Sequence, residues 1–369
     1  MTIAYDLRYA CDHFVGIGTY AFGVLDAMRA RAGDERIIAL WDPRQDPGRF
    51  RFDAMRADAR IQWMERPFAP MGVASPLQVG AWLREVRPSV YFSPFHFMPV
   101  RPECPCVVTL HDVRPLRMPA GLSPWRLTLY RWSVARAAKA RFIATVSDFS
   151  RCEIERLLPA ARGRVRAILP GIRPGLLAIE PRRPSHVPAG PFALVVGDNR
   201  PHKNLATLAQ AWARLNGDSP LHLVGAGPVD RRYPSLAQLA VRAGAAHVVH
   251  LGHVSDEELA WLYRNAAMLL FPSLYEGFGS PVAEALQHGL PVLASDIPAV
   301  RELSAGAVHP VEGGTPERWA EDVRSLWTSA DRREQLAQSE RRRAAELTYD
   351  RTAAGILDLL REAAAAAPK

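Results

Sequence analysis

Two carboxylates, Glu276 and Glu284, are separated by seven residues in the stretch LYEGFGSPVAEAL, residues 274–286. Two glycines, a serine and a proline lie between them. Ser280 followed by Pro281 is typical of a helix start, with serine as N-cap and proline at the first helical position. The sequence therefore predicts one acid in a loop and the other within the first helical turns, with unpaired backbone N–H groups between them.

Such N–H groups attract an anion, most strongly at a helix N-terminus, and here they belong to Gly279 and Ser280. Flanking carboxylates would repel that anion unless they bind groups attached to it. Sugar hydroxyls fit, because a carboxylate accepts two hydroxyl hydrogen bonds at once. A diphosphate between two sugars, as in a nucleotide-sugar, would satisfy both acids. The alternative is that the acids only complement the helix dipole.

A second polar loop, VVGDNRPHKNLATL (195–208), follows an apolar run that ends near Gly197. A helix is expected to begin near Lys203, which places Arg200 and Lys203 at its N-terminus. Two cations beside free N–H groups predict a clamp for a diphosphate.

The loops of the first half carry weaker signals. HFVGIGTY (13–20) offers Gly16 and Gly18 for close backbone approach to an anion, and a plain glycine turn is the alternative. His111 follows the apolar run CVVTL directly and is a candidate for substrate contact or proton transfer. A hydrogen-bonded structural histidine is the alternative.

The segment 123–141 predicts a helix with Ser123 as N-cap and Pro124 at its first position. Its aromatic and basic residues include Trp125, Arg126, Arg131, Trp132 and Lys139. This composition suits a membrane interface or an acceptor surface. A core-packed helix with a solvated arginine face is the alternative that the pattern favours.

Short apolar runs alternate with longer helical patterns and predict strands at 2–7, 36–41, 89–92, 106–110, 141–146, 192–196, 221–224, 247–251, 267–271 and 291–294. Continuous apolar strands separated by helices predict parallel sheets covered on both faces. We expect two doubly wound α/β domains with ligands at the carboxyl ends of the strands. The predicted boundaries are a first domain at 1–172, a proline-rich linker at 173–191, a second domain at 192–348 and a C-terminal helix at 349–369.

The net charge of +8 is uneven: residues 1–180 carry 26 Lys and Arg against 17 Asp and Glu, and residues 181–369 carry 20 against 21. The basic first half suits an anionic partner, with a scattered arginine-rich surface as the alternative. No apolar run approaches the ~18 residues of a membrane span, and no signal peptide is evident. Four cysteines without a disulfide pattern predict a cytoplasmic protein, and Cys104-Pro-Cys106 alone is too sparse for zinc.

EGFGSPVAE resembles the E-x7-E motif of the retaining glycosyltransferase family four, which has the GT-B fold of two Rossmann-like domains separated by a cleft. VVGDNRPHKNLATLAQAW is similar to the phosphate-binding turn of that family, and LHLVGAGP and GLPVLASDIPAVREL match later blocks. The match is strongest over 192–303, and the first half matches more loosely through GIGTY, TLHDVRPL and ATVSDFSR. The resemblance also implies that the C-terminal helix crosses back to the first domain.

The resemblance implies a catalytic set of His111, Lys203, Arg200 and Glu276. Glu276 would contact the transferred sugar, with His111 near it, and Lys203 would contact the diphosphate. Arg200 would replace the arginine that the family often has at the position of Asp198.

The donor contacts implied by the resemblance extend beyond this set. Glu284 would hold the ribose hydroxyls, and Gly16 and Gly18 would close over the phosphates. The remaining donor contacts are His253, Val254, Ser255, Gly277, Phe278, Gly279 and Ser280. Val15 stands where the family commonly has a glycine, which weakens the match of the first loop.

The implied reaction moves a hexose with retention of configuration, needs no metal or other cofactor, and agrees with the lack of a D-x-D motif. The motif sequences resemble those of bacterial polysaccharide mannosyltransferases, and this resemblance favours GDP-mannose as donor. A UDP-sugar or another GDP-deoxyhexose is the alternative. The expected acceptor is a lipid-linked sugar or an oligosaccharide, used to build a cell-surface polysaccharide or glycolipid. The reaction is expected at the inner face of the plasma membrane. Nucleic acid is not expected as a partner.

Three other functions compete with this one. A nucleotide-sugar 2-epimerase shares the fold but not the E-x7-E motif. A NAD-dependent oxidoreductase would need a complete glycine fingerprint, whereas position 21 is Ala21. A non-catalytic nucleotide-sugar-binding subunit would not need Glu276, Lys203 and His111.

Overall fold

A computed structural model of the protein describes residues 1–31, 33–119, 121–173, 175–215 and 221–366. The chain divides into two compact units, Met1–Arg173 with Thr348–Lys369, and Pro174–Leu347. Nearly all of the predicted linker 173–191 therefore belongs to the second unit.

Within the described residues, the strands form two sheets. The strands are β1 (Thr2–Asp6), β2 (Arg36–Trp41), β3 (Ile61–Glu65), β4 (Val90–Ser93), β5 (Cys106–Thr109), β6 (Phe142–Thr145), β7 (Val165–Ala167), β8 (Phe192–Val196), β9 (His222–Ala226), β10 (Val248–His250), β11 (Met268–Phe271), β12 (Val292–Ser295) and β13 (His309–Val311). The first unit has the order β3-β2-β1-β4-β5-β6-β7, and the second has β10-β9-β8-β11-β12-β13.

The helices connect the strands and cover the sheets. They are α1 (Val15–Arg31), α2 (Asp53–Arg56), α3 (Ser75–Val86), α4 (Arg114–Arg117), α5 (Pro124–Ala137), α6 (Asp148–Leu157), α7 (Leu205–Ala213), α8 (Leu236–Ala243), α9 (Asp256–Asn265), α10 (Ser280–His288), α11 (Pro298–Ser304), α12 (Pro316–Thr328), α13 (Ala330–Ala344) and α14 (Tyr349–Ala365). Short 3-10 turns span Asp12–Phe14, Pro159–Ala161, Leu176–Ala178 and Pro201–Lys203.

Every described strand pair is parallel, from β1 with β2 to β12 with β13. The central strands are buried along their length, because helices cover both faces of a parallel sheet. The prediction of two doubly wound parallel α/β domains is confirmed, and each predicted apolar run forms a strand. Strands β3, β7 and β13 were not predicted.

A buried ion pair organises the carboxyl end of β1. Arg8 donates from Nε and Nη2 to both oxygens of Asp6, at 2.7 and 2.6 Å, and both side chains are fully buried. Tyr91 donates its hydroxyl to Asp6, and Arg8 also donates to Ser75. Because each charge is paired and hydrogen-bonded, the network can stay buried, and it links β1 to β4 and to the start of α3.

Helix α14 completes the core of the first unit. Its apolar residues pack beside α1 in one cluster with β1 and β2. Thr352 donates its hydroxyl to the carbonyl of Leu169, and Arg361 pairs with Glu35 at 2.7 Å. The predicted return of the C-terminal helix to the first domain is confirmed.

The described part of the chain contains no helix that is both long and apolar enough to cross a membrane. Cys11, Cys104, Cys106 and Cys152 are free thiols.

The close packing of α1 on α14 predicts a steric effect at Gly23. A Cβ at this position would lie 2.6 Å from the ring of Tyr349. Gly23→Ala should lower the free energy of unfolding in urea by ~1–3 kcal/mol, because the core has no room for the methyl group. Gly16→Ala on the same helix is the control, since a Cβ there meets nothing within 4 Å. Equal behaviour of the two variants would contradict this packing.

A buried carboxyl in the second unit predicts a pH effect on stability. Glu340 on α13 accepts a hydrogen bond from the N–H of Val292 at 2.8 Å, and burial raises the pKa of Glu340 to about 8. The folded state therefore holds a proton that the unfolded chain, with a pKa near ~4.3, releases. The proton on Glu340 stabilises the folded state fully below the unfolded pKa, and this stabilisation is lost as the pH rises through about 8.

Glu340→Gln should therefore raise the melting temperature relative to the native chain more at pH 8.5 than at pH 5. Glu334→Gln, an exposed glutamate on the same helix, is the control. If the difference between Glu340→Gln and the native chain is the same at both pH values, Glu340 does not titrate as proposed.

Candidate functional site

Two loops that are far apart in sequence meet at the carboxyl edge of the second sheet. Strand β8 pairs with β11, so the segments that follow these strands are neighbours. The N–H of Leu274 donates to the carbonyl of His202 at 2.7 Å and fixes one loop to the other. The predicted diphosphate loop and the predicted E-x7-E loop therefore form one site.

Lys203 and Glu276 form an ion pair at the centre of this site. Nζ of Lys203 lies 2.7 Å from Oε1 of Glu276, and each side chain is 15% exposed. The ammonium group also lies 5.4 Å from the ring centroid of Phe271. Because an ammonium group has three N–H donors, Lys203 can hold Glu276 and a phosphate oxygen together.

Helix α10 begins one residue earlier than predicted. Gly279 is the N-cap, with φ of 102°, so Ser280 is the first helical residue and Pro281 the second. A left-handed conformation is easy for glycine and strained for serine, which explains the shift. Ser280 is exposed, Phe278 is half-buried, and the N-terminus of α10 begins four residues after Glu276.

Glu284 lies in α10 as predicted, within its first two turns. Tyr263 on α9 donates its hydroxyl to Oε2 of Glu284 at 2.8 Å. The ring of Tyr263 stacks on His288, with centroids 5.2 Å apart. Sequence reasoning missed Tyr263, which holds the Glu284 carboxylate in place and is a positioning residue.

Arg200 has acidic partners of its own. Its Nε lies 3.4 Å from Asp198 and 4.0 Å from Asp230. Hydrogen bonding from Arg232 lowers the pKa of Asp230 to about 2, so Asp230 is charged at neutral pH. The guanidinium of Arg200 is therefore balanced by two carboxylates, whereas the sequence predicted it as a phosphate-binding cation.

Asn199 is a further residue that the sequence analysis missed. Its side chain is buried, accepts from the N–H of Asp230 at 2.7 Å, and donates to the carbonyl of Tyr233 at 2.8 Å. It thereby anchors the loop after β9 beside the loop after β8. An asparagine between two charged residues at a strand end was the available signal.

Three of the predicted donor contacts, His253, Val254 and Ser255, follow β10. Ser255 is the N-cap of α9 and forms a capping box with Glu258. Its hydroxyl also donates to Glu257 at 2.6 Å. The side chain of Ser255 is thus occupied in helix capping, while His253 is exposed and Val254 is half-buried at the same sheet edge.

In the first unit, His111 follows β5 and is a neutral imidazole. Its Nε2 lies 2.9 Å from the carbonyl oxygen of Pro94, which can only accept, so Nε2 carries the proton and Nδ1 has a lone pair. Burial lowers the pKa of His111, and the ring packs edge-on against Tyr20 at 4.9 Å. This geometry suits a hydrogen-bond acceptor for a hydroxyl more than a proton donor.

His96 lies close to His111 and was not predicted. It follows β4, the neighbour of β5 in the sheet. Burial, followed by the influence of His111, lowers the pKa of His96 to about 3. The segment after β4 thus places a second neutral histidine at this edge.

The two predicted glycines of the first loop lie inside a helix. Helix α1 begins at Val15, so Gly16 and Gly18 belong to its first turn, where the sequence predicted a loop. A Cβ on Gly18 would lie 3.0 Å from the Phe50 ring and from the carbonyl oxygen of Tyr9. Close packing explains this glycine in the structure.

Helix α5 is mostly exposed and packs on the core of the first unit only near its C-terminal end. Only Val134 and Ala137 of this helix are buried, whereas Trp125 and Trp132 are 64% and 52% exposed. Arg126 lies 5.3 Å from the ring of Trp125. Arg131 in the helix and Lys139, two residues after its end, are also exposed.

Among the described residues, no three His, Cys, Asp or Glu side chains are arranged to hold a metal ion.

Two sequence families match successive parts of the chain. Residues 14–176 match the family described as Glycosyltransferase Family 4, and residues 180–343 match the one described as Glycosyl transferases group 1. The O-antigen chain mannosyltransferase B of Escherichia coli is 32% identical over 243 residues, which is 62% of each chain. A D-inositol 3-phosphate glycosyltransferase of Salinispora arenicola is 32% identical over 228 residues, which is 58% of this chain and 48% of the relative. The chain thus spans about half to two thirds of the length of these relatives.

The fold has solved counterparts. The sucrose-phosphate synthase of Thermosynechococcus elongatus superposes with a TM-score of 0.72 and 17% identity over 100% of both chains. WaaG, a glycosyltransferase involved in lipopolysaccharide biosynthesis, gives a TM-score of 0.66 and 17% identity, over 98% of this chain and 99% of WaaG. The two glycosyltransferase families together match most of the chain, and the fold is that of solved glycosyltransferases. The chain therefore belongs to the GT-B glycosyltransferases of family 4.

Proposed function

We propose that the protein transfers a hexose from a nucleotide-sugar to a sugar-containing acceptor, with retention of anomeric configuration and without a metal ion. The carrying observation is the Lys203–Glu276 ion pair, 2.7 Å long, ahead of the N-terminus of α10. A cation and a helix N-terminus suit the diphosphate, and the carboxylates of Glu276 and Glu284 suit the hydroxyls on either side of it.

The chemistry follows from these groups. The bond between the anomeric carbon and the diphosphate oxygen breaks, and the acceptor oxygen bonds to the same face of that carbon. The proton of the acceptor passes to the departing diphosphate. Lys203 stabilises the negative charge that develops on the leaving oxygen, and its fixed position means that little reorganisation is needed.

His111 and Glu284 have binding roles in this proposal. By resemblance to the family, His111 is proposed to contact the transferred sugar. The Nδ1 lone pair of His111 is suited to accept a hydrogen bond from a sugar hydroxyl. Glu284 would bind the ribose through the oxygens that Tyr263 orients. Asp198 and Asp230 flank Arg200 and would compete with a phosphate for its guanidinium group.

The donor is proposed to be GDP-mannose, in keeping with the mannosyltransferase relative from Escherichia coli. A UDP-sugar or another GDP-deoxyhexose is the alternative. The acceptor is proposed to be a lipid-linked sugar or an oligosaccharide of a surface polysaccharide, since that relative is named for the O-antigen chain.

Helix α5 supports a proposed contact with an anionic membrane. Trp125, Leu129 and Trp132 follow i, i+4 and i+7 spacing, so they share one helix face, and each is more than half exposed. The basic residues of the helix add ~1 kcal/mol each near an anionic lipid surface. Aromatic side chains with adjacent arginines suit the headgroup region.

Removal of either member of the central ion pair should greatly slow transfer. Lys203→Ala and Glu276→Ala should each lower kcat/KM by ~10²–10³-fold, because each removes a charge that acts on the reacting sugar diphosphate. Transfer is measured with labelled GDP-mannose. Donor binding is measured as the shift in melting temperature with GDP-, UDP-, ADP- and TDP-sugars. A free ligand concentration of ~100 times Kd stabilises the folded protein by about 2.7 kcal/mol.

Arg214→Ala is the control for these variants, because Arg214 pairs with Glu317 in an exposed ion pair of the same unit. Its turnover should match the native protein. Near-native turnover of Lys203→Ala or Glu276→Ala, in a folded protein, would refute the site assignment.

The membrane contact predicts salt-sensitive binding to vesicles of phosphatidylglycerol and phosphatidylcholine. Glutamine at Arg126, Arg131 and Lys139 should reduce binding at least ~10-fold, since three favourable charges are lost. The control replaces three exposed arginines elsewhere in the first unit, Arg36, Arg84 and Arg101, and makes the same change in net charge.

Sedimentation of the protein with vesicles measures both triple variants. Equal binding of native protein to purely phosphatidylcholine vesicles, or an equal loss in the control variant, would contradict a specific surface on α5.

A further inference from the structure

A cavity in the first unit has no role in the chemistry described so far. It has a volume of about 340 Å³ and lies beside the last residues of two strands, Trp41 of β2 and Glu65 of β3. Its volume falls at the lower end of the ~300–1,000 Å³ of small-molecule sites. It opens at the carboxyl edge of a parallel sheet, which is where open α/β sheets bind ligands.

The floor of the cavity is aromatic and firmly packed. Trp41, Phe50 and Phe52 line it and are buried at 3 to 7% exposure. The rings of Trp41 and Phe52 meet edge-on at 5.1 Å, and Phe50 packs against Phe22 at 5.5 Å. Such contacts leave these side chains little freedom, so the cavity is preformed.

One wall is tied to the carboxyl end of β1. Gln45 lines the cavity, and its Nε2 donates to the carbonyl oxygen of Arg8 at 3.0 Å. Its Oε1 accepts from the thiol of Cys11 at 3.1 Å. Arg8 itself is held by the buried pair with Asp6, so this wall rests on a fully buried ion pair.

The rim carries four charged groups of both signs. Arg56 and Glu65 form an ion pair at 3.1 Å, with both side chains about half exposed. Within the described part of the chain, the exposed side chains of Arg51 and Asp53 have neither a hydrogen-bond partner nor an ion-pair partner. The four charges cancel, so the rim offers donors and acceptors without favouring an anion or a cation.

A preformed aromatic floor below a neutral rim of guanidinium and carboxylate groups matches the chemistry of a sugar. Carboxylates accept from hydroxyl groups, guanidinium groups donate to hydroxyl oxygens, and the apolar rings face C–H groups. A phosphate would meet Asp53 and Glu65 as well as the arginines, which disfavours it. We propose that this cavity binds a neutral sugar unit of the acceptor.

The strand order sets the distance of this sugar unit from the predicted reaction position. Strands β1 and β4 separate β2 from β5, which precedes His111. Three strand spacings of ~4.8 Å place the cavity about 14 Å from the end of β5. The cavity therefore does not bind the reacting hydroxyl. It binds a more distant sugar of an oligosaccharide acceptor, an inference that rests on the proposed glycosyl transfer.

Direct binding tests this subsite without requiring catalysis. The full chain is titrated with α-linked mannotriose and with maltotriose as a second neutral trisaccharide, and binding is followed by calorimetry and by saturation-transfer NMR. Arg51→Ala and Asp53→Asn should each weaken trisaccharide binding at least ~10-fold, because each removes a charged hydrogen-bonding group. Both substituted groups are exposed, and thermal melts without ligand verify that the variants fold.

Asp34→Asn and Arg36→Ala are the matched controls, because both side chains are exposed near the opposite end of β2. They should bind the trisaccharides as the native chain does, and all four variants should keep the thermal shift with GDP-mannose. Failure of both trisaccharides to bind, or equal binding by cavity and control variants, would overturn the subsite. Trisaccharide binding that is lost in the cavity variants, in a protein that transfers no sugar from any donor, would support the subsite and refute the proposed transfer.

Discussion

Strands β8 and β11 lie side by side and point the same way, although more than seventy residues separate them. Parallel neighbours end at the same edge of a sheet, so the loops that follow them must meet. The ion pair of Lys203 and Glu276 depends on this pairing of strands, and so does the backbone hydrogen bond from Leu274 to His202. A one-residue slip of either strand would point its side chains to the opposite face and separate the two charges.

The two units handle charge in different ways at their carboxyl edges. The second unit holds a lysine and a glutamate already in contact, so the lysine is fixed before any ligand arrives. In the first unit, burial depresses the pKa values of His96 and His111, and the fully buried side chains of Asp6 and Arg8 neutralise each other. The two histidines therefore offer uncharged hydrogen-bonding groups, which suit the hydroxyl groups of a sugar.

Among the described strands, sequence patterns predicted the interior ones and the edge strand β10 but missed the edge strands β3, β7 and β13. Central strands are buried on both faces and read as continuous apolar runs, but β7 carries exposed Arg166 and β13 contains Pro310, which only an edge tolerates. The E-x7-E spacing located the Glu276 loop because helix-start signals are local. The partners of Arg200 could not be predicted, since Asp230 arrives from another strand.

Helix α14 has a consequence for the order in which the molecule is made. It belongs to the first unit, yet the ribosome adds it only after the whole of the second unit. Until then, the apolar face of α1 and the Gly23 groove that receives Tyr349 have no cover. A domain normally folds as soon as its chain has emerged. Here the core of the first unit remains incomplete while about 170 further residues are translated.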